Sequence, residues 1–250
     1  VRCHGADRTA RCAKEYYMHP NADNLIASRF DTVIYDLDGT LIDSAKDMQV
    51  AVSNVLADHG LPAVTEDDVR IFMGQGSKVT MAKAFAKHGK ALDDEKLSAV
   101  TREFVRYYEA DPISNTIAFP GVADVVARFG RLGLKQGVCT NKFERPSRTI
   151  LEHLKLMPPI ADLAGADTFP VRKPDPRHIL MLVARMGSTP ERAVMIGDSI
   201  HDVEAAHGAG LPAVLVSWGY TATPASELGA EAVIERFDAL PQALEKLAAR

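Results

Sequence analysis

From residue 122 to the carboxyl end, short apolar runs alternate with longer segments of helical period, and few folds accept that alternation. The pattern predicts helices over residues 122–132, 146–154, 175–186, 200–209 and 237–248. It predicts strands over residues 135–139, 160–164, 193–196, 213–216 and 232–234. The strand runs are short and mostly apolar, Lys135, Gln136 and Asp162 being the exceptions, with no regular polar face to give to water. Such strands belong in a parallel sheet with helices on both sides. Thr32-Val33-Ile34-Tyr35 adds one more strand ahead of them. Residues 43–111 then read as helical only, with segments at 45–59, 65–73, 78–88 and 93–109, and residues 112–120 read as a linker. The expected architecture is a doubly wound parallel α/β core over residues 29–42 and 119–250. A small helical domain over residues 43–118 is inserted after the first strand. Residues 1–28 hold Arg2, Arg8, Arg11, Cys3 and Cys12 without a clear period. They lack the apolar stretch of a secretory signal. They are expected to be a tail, or to precede a true start at Met18, with an organelle-targeting peptide as the alternative.

Ligands of open parallel sheets bind beyond the carboxyl ends of the strands. Asp36 and Asp38 leave the first strand two residues apart, so they project to one side. A metal site, an acid/base pair or both would suit them, and an acidic turn is the plain alternative. Thr140-Asn141-Lys142 follows the strand at 135–139. Gly197-Asp198-Ser199 and Asp202 follow the strand at 193–196, and Arg172-Lys173-Pro174 precedes the helix at 175–186. Asp36, Asp38 and Asp198 together would suit a hard cation such as Mg²⁺. Thr140 and Lys173 would suit phosphate oxygens, whose charge must be met during transfer. A carboxylate nucleophile would divide hydrolysis into two easier steps.

These four clusters resemble the four motifs of the haloacid dehalogenase (HAD) superfamily over residues 29–250: DLDGT at 36–40, Thr140, Lys173-Pro174 and GDSIHD at 197–202. The resemblance implies a Rossmann-like core and a helical cap. It implies Asp36 as nucleophile, Asp38 as general acid/base, and Thr140 and Lys173 as phosphate-binding and catalytic groups. It implies Mg²⁺ held by the carboxylate of Asp36, the backbone carbonyl of Asp38 and Asp198, with Asp202 in support. Asp38 points to phosphoryl chemistry, since dehalogenases of the superfamily lack this acid. DLDGTLIDS, the Gly74-Gln75-Gly76 loop, SNTIAFPGV at 114–122 and TNK at 140–142 most resemble the superfamily's phosphoglycolate phosphatases. The expected reaction is therefore Mg²⁺-dependent hydrolysis of 2-phosphoglycolate. Asn141 and the loop Gly74, Gln75, Gly76 would join Thr140 and Lys173 in binding substrate. The alternatives are a pyrophosphate, nucleotide or sugar phosphate phosphatase, a sugar phosphomutase, or a binding module without catalysis.

The remaining residues narrow the partners. A net charge of −4 gives no basis for a nucleic acid or an anionic membrane as partner. No apolar run approaches the roughly 18 residues of a membrane span. Three cysteines with no CxxC pair fit a reducing compartment, and Cys139 reads as a buried thiol, so the expected location is the cytoplasm. The expected partner is a small phosphorylated metabolite, and the expected state is monomer or homodimer. His201 and His207 read as structural or solvated, because Mg²⁺ disfavours imidazole. Trp218 and Tyr220 read equally as lining or packing.

Overall fold

The computed structural model describes residues 20–249. Six parallel strands form one sheet: β1 (Thr32–Tyr35), β4 (Lys135–Cys139), β5 (Asp162–Ala164), β6 (Ala193–Gly197), β7 (Ala213–Val216) and β8 (Ala232–Ile234). Their spatial order is β5-β4-β1-β6-β7-β8. The chain builds outward from β1 to β5 on one side, then returns to β6 and builds outward on the other. The direction reverses at β1, so the crevice expected of such a sheet opens at the carboxyl ends of β1, β4 and β6.

The pleat of β1 shows why both faces need cover. Val33 and Tyr35 enter one apolar cluster, with α6 (Val122–Arg131) and α10 (Leu240–Ala248). Ile34 enters the other, with α8 (Pro176–Arg185) and α9 (Ile200–Gly208). In β6, Val194 and Ile196 side with the first cluster, Ala193 and Met195 with the second. All four β1 residues are buried, which accounts for the absence of polar alternation in the sequence. On the outer side of β4, α7 spans Glu144–His153.

The inserted helices are α2 (Ala45–Asp58), α3 (Glu66–Phe72), α4 (Ser77–Lys87) and α5 (Asp94–Ala110). Thr65 and Asp68 close a capping box on α3, and the Asp93 carboxylate caps α5 through the Lys96 amide at 2.8 Å. Val52, Val55, Leu56, Met81, Phe85, Val100 and Phe104 pack together in their interior.

Two expectations from the sequence are corrected. The stretch expected to be helix and linker holds a pair of two-residue strands, β2 (Ile42–Asp43) and β3 (Ile117–Ala118). They pair antiparallel, Ile42 with Ala118 and Asp43 with Ile117, so the two crossings into the helical unit run side by side. Two residues cannot display a period, so no pattern marked them. The tail was expected to run to residue 28, yet Pro20–Arg29 is a helix, α1, that packs on α10. Ile26 and Phe30 anchor it in the main apolar cluster. The rest of the expected tail lies outside the described residues.

Asp47 fastens the paired crossings. Its carboxylate, 4 % exposed, accepts from the Asn115 amide at 3.0 Å and side chain at 2.7 Å, and from the Thr116 amide at 2.8 Å and hydroxyl at 2.7 Å. Asp47→Ala would leave the two Thr116 donors buried without an acceptor, a cost of about 2–4 kcal/mol. We expect a lower urea midpoint with an unchanged slope. A midpoint equal to that of the unaltered chain would show that the carboxylate does not hold the crossings.

Candidate active site

Strand register brings the polar clusters level. Tyr35 pairs with Val138 on one side and Ile196 on the other. The Asp36 amide continues the ladder by donating to the Ile196 carbonyl at 2.8 Å, and the Thr140 amide donates to Ala164 at 2.9 Å. Asp36, Thr140 and Asp198 therefore leave three adjacent strands at the same edge.

Lys173 enters from the loop before α8, and its side chain is 2 % exposed. Its ammonium lies 2.8 Å from Asp36 Oδ1 and 2.6 Å from Asp202 Oδ1. The other oxygen of Asp202 accepts from the Asp198 amide at 3.2 Å, the Ser199 amide at 3.0 Å and the Ser199 hydroxyl at 2.7 Å. Asp202 closes a capping box at the start of α9, and both its oxygens are engaged. Asp198 sits between two glycines. A Cβ on Gly39, whose φ is +80°, would come 2.4 Å from Asp198 Oδ2, and one on Gly219 would come 2.1 Å from Asp198 Cβ. Both must therefore lack a side chain for the carboxylate to occupy this place.

Asp38 is held differently. Lys142 Nζ lies 2.9 Å from its Oδ2, and Ser44 donates to its Oδ1. Ser44 stands at the N-cap of α2 but makes no side-chain cap there. The Lys142 side chain is 6 % exposed and its ammonium lies 4.4 Å from the centre of the Tyr108 ring. Asp36 and Asp38 thus reach one cavity but pair with different ammonium groups.

Carboxylate oxygens of Asp36, Asp198 and Asp202 lie within 4.8 Å of one another, all three residues buried. Lys173 is the ammonium paired with this group. Burial pushes the Asp36 carboxyl up to about 6 although Lys173 opposes it, and Asp202 and Asp38 add repulsion. Burial likewise holds Asp198 well above the usual carboxylate range, with Asp202 and Asp36 adding to it. Burial alone would lower Lys173, but Asp202 and Asp36 outweigh it and raise it. Three buried acids against one ammonium leave an excess of negative charge, and a hard divalent cation with oxygen ligands fits it. With both oxygens of Asp202 engaged, the carboxylates of Asp36 and Asp198 would be the ones to hold such a cation.

The cavity in front of Asp36 and Asp38 is lined by Thr140, Asn141 and Lys142 from the core and by Met48, Met73, Gly74, Gly76, Phe104 and Tyr108 from the helical unit. A water-sized sphere has about 60 Å³ of room for its centre there, space for roughly four to six waters. Asn141 ties the two sides, donating to the carbonyls of Gly74 at 3.2 Å and Lys173 at 3.1 Å. Gln75 is exposed and outside the lining. His207 pairs with Glu231 at 3.2 Å and His201 approaches Glu204 at 4.0 Å, both away from the cavity. Trp218 packs between Phe119 and Phe237.

Sequence reasoning left Tyr220 open between lining and packing, and it did not place Ser44 or Tyr108 at the site. The Tyr220 amide donates to Asp198 Oδ2 at 2.6 Å, its hydroxyl donates to Asp43 at 2.6 Å, and that hydroxyl accepts from the Ser44 amide at 3.1 Å. The backbone contact carries no residue signature. Tyr108 reads as one more apolar-face residue of α5.

Fold and site together define a hydrolase of the haloacid dehalogenase type. Residues 33–216 match the family of haloacid dehalogenase-like hydrolases, and the chain belongs to that family. It is 42 % identical over 212 residues to a phosphoglycolate phosphatase of Caulobacter vibrioides, covering 85 % of this chain and 90 % of that one. It is 39 % identical over 208 residues to one of Mesorhizobium japonicum, covering 83 % and 92 %. A crystal structure of a predicted phosphoglycolate phosphatase from Haemophilus somnus superposes with a TM-score of 0.80 at 26 % identity, covering 86 % and 97 %.

The charge excess makes cation binding measurable without turnover. A cation bound there, with Mg²⁺ as the probe at about a hundred times its dissociation constant, should stabilise the folded state by about 2.7 kcal/mol, a rise in Tm of about 5–10 °C for a chain of this size. Asp198→Asn should lose most of that rise. The full rise in the variant would place the cation elsewhere.

Proposed function

We propose that this chain hydrolyses 2-phosphoglycolate to glycolate and phosphate through an aspartyl phosphate on Asp36. The chain is a phosphoric monoester hydrolase acting on a small phosphorylated metabolite, as its family and its relatives at 42 % and 39 % identity indicate. The observation that carries the finer assignment is the buried cluster itself. Asp36, unblocked on its cavity side, shares Lys173 with Asp202 and stands beside a second, separately held acid in a cavity for a few atoms.

In the first step an Asp36 oxygen attacks phosphorus in line with the leaving oxygen. The P–O bond to the alcohol breaks as the acyl phosphate bond forms. Asp38 gives its proton to the departing alkoxide, so glycolate leaves with a neutral hydroxyl. In the second step Asp38 takes a proton from water. That water attacks the acyl phosphate, releases phosphate and restores the Asp36 carboxylate. Lys173 and the Thr140 hydroxyl bind phosphoryl oxygens whose charge grows in the transition state. When bound by the carboxylates of Asp36 and Asp198 and the backbone carbonyl of Asp38, Mg²⁺ supplies further neutralisation of the phosphoryl group. Asp202 touches no substrate and positions Lys173.

The helical unit over residues 43–118 serves in this scheme as a cap. Its residues wall the cavity opposite the acids, and closure would exclude bulk water and large esters. Among the described residues no helix is long and apolar enough to cross a membrane. The buried thiol Cys139 suits a reducing compartment, the cytoplasm.

Phosphate release over a panel of small phosphomonoesters with Mg²⁺ tests the assignment, with 2-phosphoglycolate expected to give the highest kcat/KM. Asp36→Asn should lower turnover by at least about 1000-fold, because the nucleophile of a covalent path has no substitute, while Tm stays level or rises. Normal turnover by that variant would sink the mechanism. Equal turnover across the panel would sink the substrate.

A further inference from the structure

A substrate with a carboxylate brings a second negative charge into a cavity already walled by Asp36 and Asp38, and a buried carboxylate needs a cation and hydrogen-bond donors. Lys173 is committed to Asp36 and Asp202 at the phosphate end. Lys142 is the cation among the described residues that line the cavity. An ammonium has three donors. The protein acceptors of Lys142 among the described residues are Asp38 Oδ2 at 2.9 Å and Met48 Sδ at 3.8 Å, which leaves capacity for another acceptor.

A second observation points to the same ligand. Tyr108 lines this cavity, the residue is 3 % exposed, and its hydroxyl makes no well-formed hydrogen bond among the described residues. A hydroxyl buried without a partner is costly, and it is tolerated where a ligand completes it. Lys142 lies over the ring of this same tyrosine. The other acid in the lining, Glu109, is faced by Arg145 at 3.7 Å and so does not cancel Lys142.

We propose that Lys142 and Tyr108 together recognise the substrate's carboxylate, and that they select phosphomonoesters whose carboxylate sits on the carbon bonded to the ester oxygen. The proposal rests on the 2-phosphoglycolate assignment and names the residues that make it. In such a substrate only one carbon separates the carboxylate from the leaving oxygen. The group that binds the carboxylate must then adjoin the group that protonates that oxygen. Lys142 meets this requirement because it is in contact with Asp38. Lys142 is supplied by the core and Tyr108 by α5, so a carboxylate bound between them also joins the two walls of the cavity. An ester without the carboxylate leaves Tyr108 unpartnered.

The test compares kcat/KM for 2-phosphoglycolate and for 2-hydroxyethyl phosphate, which is of similar size but uncharged at the far end. The unaltered enzyme should prefer the acid. Lys142→Met should shrink that preference by about 10- to 100-fold, the worth of a charge-assisted hydrogen bond. Any effect on Asp38 acts on both substrates and cancels in the ratio. Tyr108→Phe removes only the unpartnered oxygen, keeps the packing, and should shrink the preference several-fold, chiefly through KM for the acid. A preference within twofold of the original in both variants would overturn the proposal and leave the substrate assignment standing. An unaltered enzyme with no preference for the acid would overturn the assignment and the proposal together.

Discussion

The site depends on one ammonium in a nearly dry position. Lys173 lies between Asp36 and Asp202, and the far oxygen of Asp202 caps α9 and accepts the Asp198 amide. The two ion pairs of Lys173 and the hydrogen bonds of Asp202 thereby fix the end of β1, the loop before α8, the end of β6 and the start of α9. A buried ion pair of this kind adds little net stability over an apolar contact, but removing one partner strands the other charge at several kcal/mol. Its worth lies in geometry: it holds the residues against their mutual repulsion. That repulsion is incomplete in its relief, since Asp36 and Asp198 are both held above the ordinary carboxylate range. The fold tolerates this tension where a cation and a phosphoryl group would relieve it, as expected of a functional site that works against local stability.

A hydrogen-bonded chain leads from these acids to the helical unit. Asp198 accepts from the Tyr220 amide, the Tyr220 hydroxyl joins Asp43 and Ser44, and Asp43 meets Arg70 of α3 at 3.1 Å. Ser44 also touches Asp38. The paired strands β2 and β3, fastened by Asp47, carry both covalent crossings through the same place. Three short contacts, Arg70 to Asp43, Asp43 to Tyr220 and Tyr220 to Asp198, thus join the helical unit to the acids.

The parts legible in the sequence were those with local signatures. The sheet could be read because each strand is an apolar run between helical segments, and the acids because they follow those runs directly. What escaped reading has no such mark. β2 and β3 are too short for a period. Asp47 looks like any acid in the first turn of a helix, yet its partners lie at Asn115 and Thr116. Asp202 could be read as a helix-end charge, and it is one; its grip on Lys173 depends on a loop 29 residues away. Helix α1 is mostly polar, and tertiary contacts, chiefly with α10 and through the Asp23–Arg128 pair with α6, make it worth forming. Gln75 drew attention because glycines flank it, yet only those glycines reach the cavity.

Two acids of the site start as equivalent. Asp36 and Asp38 sit two residues apart on one strand end, and what separates them is the origin of the groups around each. Asp36 is paired by Lys173, whose other partner, Asp202, belongs wholly to the core. Asp38 is paired by Lys142, whose ammonium rests on Tyr108 of α5 and Met48 of α2. Moving the helices therefore changes the surroundings of Asp38 and leaves the partner of Asp36 in place. A nucleophile needs a constant environment through both steps of a covalent mechanism, whereas an acid/base must give up a proton in one step and take one in the next. In the proposed path, the nucleophile is thus paired wholly by the core and the acid/base by groups shared between the core and the helical unit.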